Sequence, residues 1–434
     1  MQCQVEWYRD NNSVYYRLKH VLGTVFCVTG KCYRVFICKD SFLVQNSTTE
    51  RGGKIMKKKV AAVFMTAVFG AAMLAGCGAT QETAGSADTQ QETEAAEDTA
   101  QEADTQAENT EDADAEAESA AQDGATYKVG IVQYVDDASL NQIESAIEAE
   151  LDAKGAELGV TFDYADYTYN GQADSTTLNQ IATELVASGV DVIVPIATPT
   201  AMIMQNATED NQIPVVFSAV SDPVGAGLVA GMDAPGSNIT GTSDALNTDA
   251  VMDLIFAANP EIKKVGLLYN KSEDSSKAPI EAAKAYCEAK GVEVVEKTGT
   301  TNDEIALAAD ALVAEGVEAV FTPTDNTVMT AELAIYEKFT DAGIPHYAGA
   351  DSFALNGAFL GFGVNYVELG TATADMVVSV LTENADPAST PVVTLDNGIA
   401  TVNTETAEAI GLDYSMFADM CAEVKEIVTA ESFE

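Results

Sequence analysis

The sequence predicts an α/β fold of two doubly wound parallel-sheet lobes joined by hinge crossings, and three observations carry that prediction. From Tyr127 to Gly349, short apolar runs rich in Val and Ile alternate with longer segments of helical spacing, the order of strand–helix–strand units. The order then begins again near Thr248, which gives two units of roughly domain size. Small hydroxyl and acidic residues end three of the strands, at Thr198-Pro199-Thr200, at Phe217-Ser218-Ala219-Val220-Ser221-Asp222 and at Phe321-Thr322-Pro323-Thr324-Asp325-Asn326. In an open parallel sheet, ligands bind outside the carboxyl ends of the strands. There the first N–H groups of the next helix have no partner within the helix.

Taken in order, Lys128 to Tyr134 is the first strand, and Leu140 to Lys154 is a helix with Ile143, Ile147 and Leu151 on one face, stopped by Gly155. Val160 to Tyr167, Val190 to Pro195, Pro214 to Ser218 and Asn238 to Thr242 read as strands, separated by helices over Thr176 to Ser188 and Ala201 to Asp210. The second unit has helices over Thr248 to Ala258, Pro279 to Lys290, Asn302 to Ala314 and Val328 to Ala342. Its strands are Lys264 to Tyr269, Val292 to Lys297, Ala319 to Thr322 and Pro345 to Gly349. Beyond these, Gly357 to Val364 is Gly-rich and apolar, and Val367 to Thr382 has helical spacing. Val392 to Leu395 and Ile399 to Val402 flank Asp396-Asn397-Gly398, an Asn-Gly signal for a hairpin. Lobe 1 is thus expected over 126–242 and lobe 2 over 243–354, with 355–434 crossing back to complete the lobes, mainly lobe 1.

The 434 residues carry a formal charge of −46, seven Cys, one Trp and two His, but these totals mix unlike segments. Met56 to Cys77 has the parts of a bacterial secretory signal: Lys57-Lys58-Lys59, an apolar run from Val60 to Met73, then Leu74-Ala75-Gly76-Cys77. That run is shorter than the about 20 residues a spanning helix needs. The final tetrapeptide resembles a lipobox, in which Cys77 becomes the lipid-modified first residue. Residues 1–55, with Cys3, Cys27, Cys32, Cys38 and Trp7, then have no place in the mature protein. Glu50-Arg51-Gly52-Gly53-Lys54 fits a translated ribosome-binding site ahead of a start at Met56, so a mis-called start is expected.

Residues 78–125 are almost entirely Ala, Thr, Gln, Ser, Gly, Glu and Asp, without Lys or Arg, and cannot bury enough apolar surface to order themselves. The stretch 77–125 reads as a lipidated Cys and an acidic, extended tether. No Arg follows Arg51, so the globular part has no bidentate Arg clamp for an anion, and its acidic balance argues against nucleic acid. Cys287 and Cys421 read as lone packed residues, with a disulfide between them as the alternative. No phosphate loop, Ser-His-acid set or metal-spaced cluster stands out, and His346 reads as structural, so neither an enzyme nor a cofactor or metal is expected.

Ala197-Thr198-Pro199-Thr200, Phe217 to Val224, Pro235-Gly236-Ser237-Asn238-Ile239-Thr240-Gly241-Thr242-Ser243-Asp244 and Pro323 to Thr327 together resemble the substrate-binding lipoproteins of ABC importers. The resemblance is to the type I periplasmic-binding fold, in the branch with tryptophan- and tyrosine-binding members. Ile131-Val132-Gln133, Asn170 to Asp174 and Gly361 to Tyr366 also fit, so the likeness covers about Tyr127 to Asp413. It departs from the family at Asp136-Asp137-Ala138, where an acidic residue, His and Pro are usual. It implies a monomeric clamp, lipid-anchored on the outer face of the cell membrane, that captures a small ligand such as an amino acid and delivers it to a permease and its ATPase. Hinges are expected near Thr242 to Leu246, Phe353 to Phe359 and Leu395 to Ile399.

An amino acid ligand needs donors for its carboxylate, acceptors for its ammonium and an apolar place for its side chain. Thr198, Thr200, Ser218 and Ser221 suit the carboxylate; Asp325, then Asp222 or Asp351, the ammonium; Tyr134, Phe217 and Phe353 a ring. Gln133 and Asn326, beside these positions, complete the candidates. Each has a plainer reading: Thr200 as a helix cap, Asp222-Pro223 as a turn, Asp325-Asn326 as a cap, Tyr134 and Phe217 as core. Two rival functions use the same fold, a lipid-anchored sensor that presents its ligand to a membrane receptor and a transport carrier of a sugar or other small solute. The globular part lacks the Arg and Trp that sugar clefts favour.

Overall fold

The computed structural model describes residues 124–396, 398–430 and 432–433, with the backbone of five strands between residues 6 and 47. Those strands, β1 (Glu6–Asp10), β2 (Ser13–Leu18), β3 (Val21–Val28), β4 (Lys31–Cys38) and β5 (Ser41–Ser47), form an antiparallel meander in chain order. The signal segment, Cys77, nearly all of the tether and Asn397 lie outside the described residues.

Lobe 1 is built on β6 (Thr126–Gln133), α1 (Ala138–Leu158), β7 (Thr161–Asp163), β8 (Thr168–Asn170), α2 (Ser175–Ser188), β9 (Val192–Ile196), α3 (Thr198–Thr208), β10 (Val215–Phe217) and β11 (Ile239–Ser243). All its strand pairs are parallel, in the order β17-β11-β10-β9-β6-β7 with β8 also on β6, where β17 is Val393–Thr394. Every residue of β9 is buried, as expected of a strand covered by helices on both faces. Asp137 caps α1 by accepting from Ser139 N and Leu140 N. The helix runs through Gly155, the expected stop, to Gly159 at φ +70°. Gly155 remains inside because a Cβ there would lie 3.0 Å from Val160 O, so its missing side chain serves packing.

Lobe 2 comprises α4 (Thr248–Ala258), β12 (Lys264–Tyr269), α5 (Asp274–Lys290), β13 (Glu293–Thr298), α6 (Asn302–Glu315), β14 (Ala319–Thr322), α7 (Asn326–Asp341), β15 (His346–Ala348), α8 (Asp351–Leu355) and β16 (Leu360–Gly363). Its sheet order is β13-β12-β14-β15-β16-β18-β19, with β18 (Ile399–Asn403) antiparallel to β16 and β19 (Glu423–Ile427) parallel to β18. In both sheets the first strand lies between the second and the third. The strand order therefore reverses at β6/β9 and at β12/β14, and ligands bind at such reversals.

The chain crosses between lobes at 244–247, at 364–365 and at 395–398, as the sheet membership of the flanking elements requires. The middle hinge expected at Phe353 to Phe359 is instead α8 and its exit, inside lobe 2. From there β16 leads into α9 (Tyr366–Thr382), which returns to lobe 1, where Gly370 allows α1 to approach: a Cβ there would meet Ile143 O at 2.6 Å. No hairpin forms around residues 396–398. β17 pairs with β11 and β18 with β16, because each strand completes the hydrogen bonding of a different sheet. Hence residues beyond 355 serve both lobes, 366–394 lobe 1 and 399–427 lobe 2, rather than lobe 1 mainly. No helix among the described residues is long and apolar enough to cross a membrane.

Candidate ligand-binding cleft

Loops at the strand carboxyl ends of both lobes line one narrow space. Lobe 1 contributes Ser139 and Leu140 from the start of α1, Ala197 and Thr198 from the start of α3, and Ala219 and Ser221 after β10. Lobe 2 contributes Ser275, Thr324, Asn326, Met329 and Ala350. Asp244 and Tyr366 enter from the first two crossings.

The helices that begin here differ in what their N-termini retain. At α7, Asp325 accepts from Val328 N at 2.9 Å, Asn270 N at 2.7 Å and Ser276 Oγ at 2.6 Å. Glu273 takes the next donors, Asn326 N and Thr327 N, each at 2.8 Å. Two carboxylates thus use up the first turn of α7, and a ligand anion finds no donor there. Burial, and then the charge of Glu273, hold the Asp325 carboxyl well above its ordinary range. The same pair, after burial, helps push the Tyr134 phenol from across the cleft up to about 12.

At α3 the situation is reversed. No side chain caps the helix, Ala197 precedes it at φ +78° and ψ 152°, and Thr200 Oγ1 is buried without a partner. That backbone region is one only glycine occupies readily, so the strain, of the order of 1–3 kcal/mol, is held by the surrounding structure. Ala197 N donates to Ser218 O at 3.0 Å and Ala201 N to Ala197 O at 3.1 Å. The result is a helix start, with two threonines, whose donors remain for an anion.

Asp244 is the cavity's own carboxylate. It is 6% exposed, accepts from Ser221 Oγ at 3.0 Å, and burial pushes it up to about 6. Burial also raises Asp137 to about 6. An ammonium group would relieve such a buried charge.

Of the expected ligand residues, Thr198, Ser221 and Asn326 line the space, and Thr200 lies two residues after Thr198 in the first turn of α3. Tyr134 is half-buried at the end of β6. Gln133 holds the loops together instead, donating to Asn141 Oδ1 at 2.6 Å and accepting from Asn170 Nδ2 at 3.1 Å. Ser218 belongs to a buried hydroxyl set with Thr373 at 2.8 Å and Thr242 at 3.3 Å. Phe217 is fully buried in the lobe 1 core and Phe353 in lobe 2, so neither offers a ring to the cleft. Each lies where the sheet or helix turns its side chain inward. Asp222 takes the turn reading, accepting from Gly225 N at 2.8 Å. Asp325 and Asp351 spend both oxygens on protein donors.

His346 is structural: Nε2 meets Thr322 Oγ1 at 2.8 Å, and that hydroxyl donates to Leu268 O at 3.0 Å. Nδ1 faces Glu332 at 3.0 Å. Cys287 and Cys421 are free thiols. Asp244, Leu140, Met329 and Tyr366 escaped the sequence reading. Asp244 left a signal as the acidic residue after the strand ending Thr242-Ser243, and Tyr366 as the end of the block Gly361 to Tyr366.

The family model of ABC transporter substrate-binding proteins matches residues 128–419. A tyrosine-binding protein of Clostridioides difficile is 32% identical over 306 residues, which is 70% of this chain and 86% of that protein. A Streptococcus ABC domain solved in complex with L-Trp matches with TM-score 0.64 and 32% identity, over 69% of this chain and all of that one. A ligand-free, open substrate-binding protein with adhesive properties from Clostridium difficile matches with TM-score 0.55 and 32% identity, over 70% of this chain and all of that one. With this fold, this cleft and these relatives, the chain belongs to the ABC transporter substrate-binding proteins, a family that binds solutes outside the cytoplasm and is not enzymatic.

Proposed function

We propose that the protein captures an aromatic amino acid between its lobes and hands it to an ABC permease driven by its ATPase. One observation carries this reading: a single small space, shared by both lobes, presents an uncapped helix start on one side and the buried carboxylate of Asp244 on another. The ligand carboxylate takes the donors of α3 with Thr198 and Thr200. Its ammonium faces Asp244, and the side chain packs on Leu140, Met329 and Tyr366. Names of the relatives support the ligand class, since one is called tyrosine-binding and another holds L-Trp.

Closure follows from differential affinity: a ligand that touches both lobes only when they meet shifts the clamp toward the closed form. The permease then reads that form. The lipid anchor at Cys77, a start at Met56 and a monomeric state belong to the same proposal and rest on the sequence and the family.

The test is a thermal-shift screen against the amino acids, a sugar panel and simple organic acids, since a ligand of the folded state raises the melting temperature. A rise with tryptophan, tyrosine or phenylalanine supports the reading. A rise with sugars alone leaves the clamp and removes the amino acid.

A further inference from the structure

Asp351 was expected to serve a ligand ammonium, yet its oxygens are already engaged, and the donors come from the opposite lobe. Ser139 Oγ, in the first turn of α1, donates to Oδ1. Gln142 Nε2, one turn further along α1, donates to Oδ2 at 3.1 Å. The same Ser139 hydroxyl accepts from Ser352 N at 3.1 Å, so one hydroxyl both gives and takes a hydrogen bond across the gap. All three bonds run between α1 of lobe 1 and the short α8 of lobe 2.

The local sequence explains why these groups meet. Asp137 caps α1 through Ser139 N at 2.9 Å and Leu140 N at 3.3 Å, which fixes where the Ser139 side chain points. Asp136 accepts from Asn141 Nδ2 at 2.9 Å and stiffens the same turn. On the facing side, α8 starts at Asp351 because β15 ends at Ala348, and Gly361 lets β16 pass close to it: a Cβ at that glycine would meet Ala350 O at 2.0 Å. Asp136-Asp137-Ala138, where the chain leaves the family pattern, is therefore the turn that aims Ser139 at lobe 2.

We propose that Asp351, Ser139 and Gln142 form a clasp between the lobes and act as positioning residues for ligand capture. They hold the clamp near its closed form, Gln142 and Asp351 from outside the residues that line the ligand space and Ser139 from its edge. The proposal rests on the clamp reading above. Apparent affinity falls in proportion to the fraction of protein in the competent conformation, so bonds that favour closure tighten binding without a ligand contact. They also slow release, because the clasp has to open before the ligand can leave.

The test uses the full chain with Ser139→Ala, Gln142→Ala and Ser139→Thr, the last retaining the hydroxyl. Two quantities are measured: amide exchange at 138–142 and 351–355 in ligand-free protein, and dissociation of radiolabelled tryptophan or tyrosine. The clasp predicts exchange confined to these two segments and release each faster by about five- to tenfold in the Ala variants, the worth of one net hydrogen bond. Ser139→Thr should restore both. Exchange and release unchanged in both Ala variants overturn the clasp. Faster exchange spread through lobe 1, with a lowered melting temperature, also overturns it and makes the pair merely structural. If neither amino acid binds at all, the exchange measurement still decides the clasp, so loss of the ligand reading and loss of this one are told apart.

Discussion

Glu273 Oε2 accepts hydrogen bonds from both the backbone N–H and the side-chain amide of Asn326, at 2.8 and 2.9 Å. Its other oxygen accepts from Thr327 N at 2.8 Å and Thr327 Oγ1 at 2.6 Å. One carboxylate from the loop before α5 thus holds the start of α7, and the cleft keeps free donors at the start of α3 and at the buried Thr324 hydroxyl. Replacing Glu273 with Ala strands these donors in a site 8% exposed. The expected loss of stability is about 1–3 kcal/mol, read from urea unfolding, and Glu273→Gln should lose less because one amide oxygen still accepts.

Thr200 offers the opposite case. Its hydroxyl is buried without a protein partner, so the near-isosteric Thr200→Val should leave stability unchanged or raise it by up to about 1 kcal/mol. Affinity for the ligand should fall at the same time, by about tenfold if the hydroxyl meets the ligand carboxylate. Calorimetric titration of the variant with tryptophan and tyrosine separates the two effects. A variant that binds as well as the parent removes Thr200 from the site.

The pH response isolates Asp244. Its folded carboxyl sits at about 6 against an ordinary 3.8, because burial disfavours the charge. Raised in the folded state, it keeps a proton that the unfolded chain releases between those values. Stability from this group is therefore fully present below about pH 4 and is lost as pH rises toward 6. Asp244→Asn should accordingly gain on the parent over that interval, by the order of 2 kcal/mol.

Ligand binding should run the other way. An ammonium prefers the ionised carboxylate, so affinity should rise from pH 5 to 7, with proton release seen as a buffer-dependent binding enthalpy at pH 5. In Asp244→Asn both effects should vanish.

Phe217 and Phe353 test the core assignment. Phe217→Ala should cost about 3–5 kcal/mol, as for a fully buried ring, measured by denaturant unfolding. The more conservative Phe217→Leu should keep ligand affinity within about twofold, since the ring faces the lobe 1 core; a selective loss of aromatic ligands would return Phe217 to the cleft.

Cys77→Ser addresses the membrane. If Cys77 is the lipidated residue, cells fed radiolabelled palmitate should label the parent and not the variant, and the variant should leave the membrane fraction.

How much of this was legible in the sequence varies with the range of the interaction. Helix Thr248–Ala258 and strands Lys264–Tyr269 and Ala319–Thr322 fall where their periodicity puts them, because burial pattern is local information. Thr198, Ser221 and Asn326 fall beside the space between the lobes because strand-end hydroxyls and amides sit where a parallel sheet gathers its loops. The hairpin at 396–398 was misread, since an Asn-Gly pair signals a tight turn whichever sheet its flanking strands join. The protein donors of Asp325 and Asp351 are hidden for the same kind of reason. Their acidity is in the sequence, but Ser276, Asn270, Ser139 and Gln142, which absorb it, lie 49, 55, 212 and 209 residues away.

The sequence by itself determined the alternation of strands and helices, the doubling of the unit, the absence of arginine after residue 51 and the family likeness. Each of these is a property of composition or of neighbours along the chain. Only the tertiary structure decided which carboxylates protein donors engage, which helix start lacks a side-chain cap and which residues bond across the lobes. Those outcomes depend on which polar groups share a desolvated space, because a buried donor or acceptor is satisfied by whatever the fold sets beside it.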